Sequence, residues 1–197
     1  MNVPTLLTWV RVFGVLVFAV LLVWPGGGLR GWGLAVFAVS AATDFLDGRL
    51  ARAWNQVTPF GRMLDSIADK LLVGVTLLVL AADGTIGGVH ALAAILILYR
   101  EIAISGLREH VAEKGVVIPA SPAGKWKTTV QLVALAALIA TPLMPFPVVA
   151  QGAGLVLLWA AAALTLWSGL EYAYGARHAF GRTDEAGRPI GRAEETA

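Results

Sequence analysis

Long apolar runs separated by short polar or basic connections set the pattern of this chain. The runs cover residues 5–24, 30–47, 63–82, 85–104, 128–144 and 146–172. Each comes close to or exceeds the roughly 20 residues that an α-helix needs to cross a hydrocarbon core about 30 Å thick. None alternates in polarity over segments of about ten residues, as the strands of a membrane barrel do, so the runs read as helices. Turn-forming residues punctuate them: Pro25 with Gly26, Gly27 and Gly28, then Asp83 with Gly84, then Pro142, Pro145 and Pro147. The pattern predicts an all-α integral membrane protein of six transmembrane helices. Residues 1–182 form that six-helix domain, and 183–197, rich in Gly, Arg and Glu, form a flexible cytoplasmic tail.

Basic residues orient the bundle. Arg49, Arg52, Arg62 and Lys70 flank the second connection, and Arg100, Arg108, Lys114, Lys125 and Lys127 flank the fourth. Arg177, Arg182, Arg188 and Arg192 follow the last run, whereas the other connections hold almost none apart from Arg30. The positive-inside rule then puts both basic connections and both termini in the cytoplasm, which an even number of spans allows. The first run is too long for a signal-peptide core and shows no small-residue cleavage site before Pro25, so it reads as a retained span.

Composition agrees, with 57% hydrophobic and only 14% charged residues. The formal net charge of +2 is accounted for by topology and by contact with anionic lipid headgroups, and no basic soluble domain exists to bind nucleic acid. With no cysteine, disulfides and thiolate chemistry are excluded. His90, His110 and His178 show no ligand spacing, and the tryptophans fit interfacial belts.

Four acids stand out at the ends of two apolar runs. Asp44 and Asp47 are three residues apart, and Asp65 and Asp69 four apart, so each pair shares one face of a helix. The intervening turn brings the pairs together at the predicted cytoplasmic face. Four carboxylates converging in a partly dry site repel one another unless divalent cations or basic groups compensate. Hard oxygen ligands favour Mg²⁺, Mn²⁺ or Ca²⁺, and two ions bridged by carboxylates are an arrangement suited to phosphoryl transfer. A single Asp of this kind is often an ordinary interfacial charge, but intramembrane acids are costly and four at facing spacings are not explained that way. Gly48 and Arg52 continue the face of Asp44 at four-residue steps, where a glycine permits close approach of a phosphate and an arginine forks onto its oxygens. Gly48 equally suits helix packing, Arg52 the cytoplasmic edge, and Gly61, four before Asp65, carries the same ambiguity.

These residues fill the pattern Asp-x-x-Asp-Gly-x-x-Ala-Arg, eight residues, then Gly-x-x-x-Asp-x-x-x-Asp, with Asp44, Asp47, Gly48, Ala51, Arg52, Gly61, Asp65 and Asp69. It resembles the signature of the CDP-alcohol phosphotransferases and departs from it at no position. The resemblance implies a homodimer of six-helix protomers and two divalent ions, Mg²⁺ or Mn²⁺, held by the four aspartates. It also implies that Asp69 is the catalytic base on the acceptor hydroxyl, and that Gly48, Arg52 and Thr58, with Gly61 nearby, contact the CDP moiety. Asn2–Arg11, Arg100–Glu109 and Gly124–Thr129 are similar to the phosphatidylglycerophosphate synthase branch of that family. That similarity implies CDP-diacylglycerol and sn-glycerol 3-phosphate as substrates and membrane lipids as surroundings.

The residues themselves suit a phosphorylated acceptor. Arg100 and Arg108 lie eight apart, near two helical turns, and face one cavity together with Ser105, while Lys125 and Lys127 begin the next run at the same face. Topogenic charge accounts for the same residues equally simply. Two other readings stay open: a synthase of the same family using inositol phosphate, serine or phosphatidylglycerol, and a divalent cation transporter. A transporter more naturally places its acids near the midplane in broken helices.

Overall fold

The computed structural model describes residues 3–24, 28–53, 59–113 and 122–180. Among the described residues there are six α-helices: α1 (Val3–Val23), α2 (Arg30–Ala53), α3 (Pro59–Ala82), α4 (Ala91–Glu113), α5 (Pro122–Ala140) and α6 (Pro147–Phe180). Short 3₁₀ turns at Gly88–His90 and Thr141–Leu143 precede α4 and follow α5, and no strand occurs among these residues. Three helices begin on a proline, whose fixed φ suits the first helical position and whose missing N–H has no intrahelical partner to lose there. Thr58, Lys114, Pro25 to Gly27 of the first predicted turn and the 183–197 tail lie outside the described residues.

One helix corresponds to each apolar run, with corrected ends. The fourth run was expected to be helical from 85, but Gly84 (φ 80°) and Gly88 (φ 56°) turn the chain in the left-handed region, and α4 begins at Ala91. α2 and α4 continue past their apolar runs to Ala53 and Glu113, and α6 to Phe180. Apolar content marks the depth of lipid, whereas the backbone ladder propagates through polar residues as readily as through apolar ones. The four acids of the motif therefore all sit on helix, Asp44 and Asp47 on α2 and Asp65 and Asp69 on α3.

Three segments, Gly88–Ala112, Trp126–Leu143 and Pro147–Arg177, are long and apolar enough to cross a membrane, and α1 carries a shorter apolar stretch, Thr8–Val23. The helices are apolar on both faces. α1 buries Val15, Phe18 and Leu22 yet exposes Phe13, Leu16 and Val20, and α6 exposes Val148, Val156 and Leu170. A bundle with an apolar exterior over an apolar core has lipid, not water, as its solvent, and the protein is an integral membrane protein. Some hydroxyls on these helices bond locally: Thr76 donates to the Leu72 carbonyl at 2.6 Å and Thr43 to the Val39 carbonyl at 2.9 Å.

The core joins Phe18 and Phe37, whose rings lie 5.8 Å apart, to Leu72, Leu80, Ile97, Leu135, Leu138 and Leu158. α5 packs most extensively on α6, α1 on α2 and α3, and α4 on α6. Gly154 permits the α5–α6 approach: a Cβ there would stand 2.7 Å from Leu138 Cδ2. Arg30, the exception in the charge pattern, closes the end of the bundle remote from the acids. Its guanidinium donates to Asp83 (2.7 Å), Thr85 Oγ1 (3.1 Å) and the Ile139 carbonyl (3.1 Å).

Candidate active site

At the opposite end, the start of α3, the end of α4 and the start of α5 enclose a cavity of about 390 Å³. α3 presents Asp65, Ser66, Asp69 and Lys70 to it, α4 presents Arg100, Glu101, Ile104, Ser105, Arg108 and Glu109, and α5 presents Gly124, Lys127 and Thr128. The four-residue steps from Asp65 to Asp69, and from Arg100 through Ile104 to Arg108, are what align each set on one helical face.

The α3 wall is acidic. The Asp65 carboxylate is about half exposed (48%), and its Oδ1 accepts a hydrogen bond of 3.0 Å from Nη1 of Arg11, whose side chain is 1% exposed. A buried arginine on α1 thus holds a cavity-facing carboxylate of α3 from behind. Sequence reasoning assigned Arg11 no role. The available signal was a lone charge inside an otherwise apolar run, which marks a functional site more often than not. The Lys70 ammonium turns back to the Ser66 carbonyl and hydroxyl on its own helix, so it does not reach across the cavity.

Asp44, Asp47, Gly48 and Arg52 all lie on the last turns of α2, which packs against α3. Their side chains, like that of Lys125 on α5, lie outside the described residues, as does Thr58 altogether. Gly61 is half-buried in the first turn of α3. The described side chains fit a divalent cation: Asp65 and Asp69 are hard oxygen donors one turn apart, both open to the same cavity. Among the described residues no group of three or more His, Cys, Asp or Glu gathers, since only two of the four aspartates have described side chains.

The facing wall carries three cations, Arg100, Arg108 and Lys127, and two carboxylates, Glu101 and the exposed Glu109. Glu101 pairs with Lys127 through Oε1 and lies 3.7 Å from Arg100 Nη1 through Oε2. Arg100 is largely buried; its Nη2 donates to Ser168 Oγ on α6 at 3.0 Å, and Ser168 donates on to the Thr165 carbonyl at 3.2 Å. Gly169 makes room for that arginine, since a Cβ there would meet its Nε at 3.0 Å. The Arg108 guanidinium stands 5.3 Å above the Tyr172 ring, a cation–π contact that holds it on the wall. The structure therefore brings Arg100, Ser105 and Arg108 together as their spacing predicted, with Lys127 beside them, and adds Glu101 and the Ser168–Gly169 seat. Lys127 was read as topogenic or anion-binding alike. Glu101 and the α6 seat carried no local signal, because their meaning lies in contacts across helices.

Carboxylates on one wall and fixed cations on the other suit a ligand with two parts, a polyphosphate bridged by metal and a separate anion. A model of the CDP-alcohol phosphatidyltransferase family matches residues 1–167. The chain is 43% identical over 182 residues to a protein of Escherichia coli (strain K12) named CDP-diacylglycerol–glycerol-3-phosphate 3-phosphatidyltransferase, covering 89% of this chain and 95% of that one. Proteins of the same name from Shigella sonnei (strain Ss046) and Salmonella typhimurium (strain LT2) are 43% and 42% identical over equal shares of both chains. The extent of these matches, over a helical membrane bundle whose α2 and α3 carry the complete eight-residue signature, makes the chain a member of the CDP-alcohol phosphatidyltransferase family, and an enzyme of phosphatidyl transfer.

Proposed function

We propose that this enzyme transfers the phosphatidyl group of CDP-diacylglycerol to sn-glycerol 3-phosphate, giving phosphatidylglycerophosphate and CMP. The observation that carries the reading is the cavity in which Asp65 and Asp69 face Arg100, Arg108 and Lys127. The names of the relatives point to the same donor and acceptor. Enzymes of this family depend on divalent metal, and the residues that would hold two Mg²⁺ or Mn²⁺ ions are Asp44, Asp47, Asp65 and Asp69. When bound, the ions offset the charge of the pyrophosphate and of the departing CMP.

The remaining work falls to the chain. Asp69 takes the proton of the acceptor hydroxyl as that oxygen attacks the β-phosphorus; the bond from β-phosphorus to the bridging oxygen breaks, and CMP departs with the electron pair. Arg11 holds Asp65 in its cavity-facing position. Gly48, Arg52, Thr58 and Gly61 receive the CDP moiety. Arg100, Ser105, Arg108 and Lys125, joined by Lys127, meet the acceptor phosphate, which sets a dianion against fixed cations in a poorly hydrated space. All six helices cross the membrane, the cavity and both termini face the cytoplasm, and two protomers associate.

The test offers purified protein, CDP-diacylglycerol and Mg²⁺ or Mn²⁺ a panel of glycerol 3-phosphate, glycerol, inositol phosphate, serine and phosphatidylglycerol, with lipid products identified by mass. Glycerol 3-phosphate is expected to dominate. Equal use of glycerol, or a preferred product from another acceptor, would overturn the assignment. Arg108→Gln is expected to raise the KM for glycerol 3-phosphate at least about tenfold, the loss of about 1.4 kcal/mol of binding, with little change in the KM for CDP-diacylglycerol.

A further inference from the structure

One carboxylate sits where an anionic ligand is to be held. Glu101, with a side chain only 14% exposed, engages Lys127 directly and stands 3.7 Å from Arg100. The carboxylate oxygens thus occupy the same donors that a phosphate oxygen would seek. The basic wall of α4 and α5 supplies three cations, Arg100, Arg108 and Lys127, against two carboxylates, of which Glu109 is exposed and Glu101 is the one that engages Arg100 and Lys127.

A wall built only to hold its ligand tightly would omit this acid, and the chemistry of the reaction supplies a reason for it. Transfer makes a bond at the hydroxyl of the acceptor and leaves its phosphate unaltered, so the phosphomonoester passes intact into the lipid product. Contacts to that group are equally strong in substrate, transition state and product. Such uniform binding lowers KM without lowering the chemical barrier. Beyond a certain strength it only delays departure of the product, and product release limits turnover in many enzymes.

We propose that Glu101 is an internal competitor of the acceptor phosphate, occupying Lys127 and part of the field of Arg100 so that the phosphomonoester is held weakly enough to leave. Arriving phosphate displaces the carboxylate from Lys127, and the carboxylate returns as the product departs. Glu101 is accordingly a residue that sets affinity and release, without contact to the reacting atoms. The inference rests on the reading of this cavity as the acceptor site.

The test uses the full chain in lipid nanodiscs, with inorganic phosphate as the probe, measured as an inhibitor competing with glycerol 3-phosphate. Glu101→Gln keeps the shape and removes the charge. Its inhibition constant for inorganic phosphate is expected to fall at least about fivefold, with the KM for glycerol 3-phosphate falling in parallel and kcat falling as release slows. Glu101→Asp, which keeps the charge but withdraws it by one methylene, is expected to shift in the same direction by less, and supplies the measurement should the glutamine variant fold poorly. A carboxylate that merely holds Lys127 in place predicts the reverse, a raised inhibition constant. An unchanged or raised constant in both variants, with competition intact in the wild type, overturns the inference and leaves the acceptor site standing. Absence of competition by inorganic phosphate in the wild type overturns both.

Discussion

Replacing Arg11 with Gln removes the cation that holds Asp65 from behind while keeping a polar side chain of similar reach. The contact is a charge-assisted hydrogen bond of 3.0 Å from a guanidinium 1% exposed to a carboxylate 48% exposed. Breaking a fully buried pair costs about 3–5 kcal/mol and an exposed one about 0–1 kcal/mol. Water entering from the cavity can replace the lost donor at Asp65, so the cost falls between these limits, near the lower end of the range for hydrogen bonds to charged groups, about 1.5 kcal/mol. If that energy is what keeps the carboxylate in its working position, kcat falls by about one decade. Removing a positive charge also favours cation binding nearby, so turnover is measured at saturating Mg²⁺ and saturating substrates, where metal affinity no longer enters. Arg11→Lys, which restores a point charge without the fork, is expected to lie between wild type and Arg11→Gln. Thermal unfolding of each purified variant separates loss of fold from loss of position. A kcat for Arg11→Gln within twofold of wild type would refute the argument, leaving Arg11 a tie between α1 and α3 with no part in turnover.

Asn in place of Asp44, Asp47, Asp65 or Asp69 is expected to reduce turnover to near background with the protein still folded, since the amide preserves shape but ligates divalent ions poorly; full activity in any two variants at saturating metal would exclude a two-ion site. Chelation with excess EDTA is expected to stop product formation, and added Mg²⁺ or Mn²⁺ to restore it; activity that survives exhaustive chelation would contradict this. Single cysteines placed in this cysteine-free chain at positions 55 and 115 are expected to react with impermeant reagents only from the cytoplasmic side, and external labelling would invert the topology. Gly154→Val places methyl carbon against Leu138, where even a Cβ would stand 2.7 Å from Cδ2, and is expected to cost about 1–3 kcal/mol, visible as a lower Tm. Gly169→Ala presses on Arg100 at 3.0–3.1 Å and is expected to raise the KM for glycerol 3-phosphate more than that for CDP-diacylglycerol.

Local pattern alone determined a large part of this protein. Six apolar runs specified six helices, because apolar runs of that length without alternation fit a helix and not a strand. The signature from Asp44 to Asp69 placed its acids on two helical faces, because spacings of three and four residues translate directly into geometry on a helix. The same rule set Arg100, Ser105 and Arg108 on one wall, and the structure has all three lining one cavity. Helix ends were less legible: α2 runs on to Ala53 and α4 starts only at Ala91, since hydrogen bonding along the backbone is indifferent to the polarity that marks a run. What only the tertiary structure decided is partnership between helices. No spacing within a run says that Arg11 of α1 reaches Asp65 of α3, that Glu101 of α4 occupies Lys127 of α5, or that Ser168 and Gly169 of α6 seat Arg100. Periodicity specifies which face of a helix a residue occupies, but the residue it meets depends on how whole helices pack, and that is settled by the summed fit of side chains such as Leu138 against Gly154 far from the site itself.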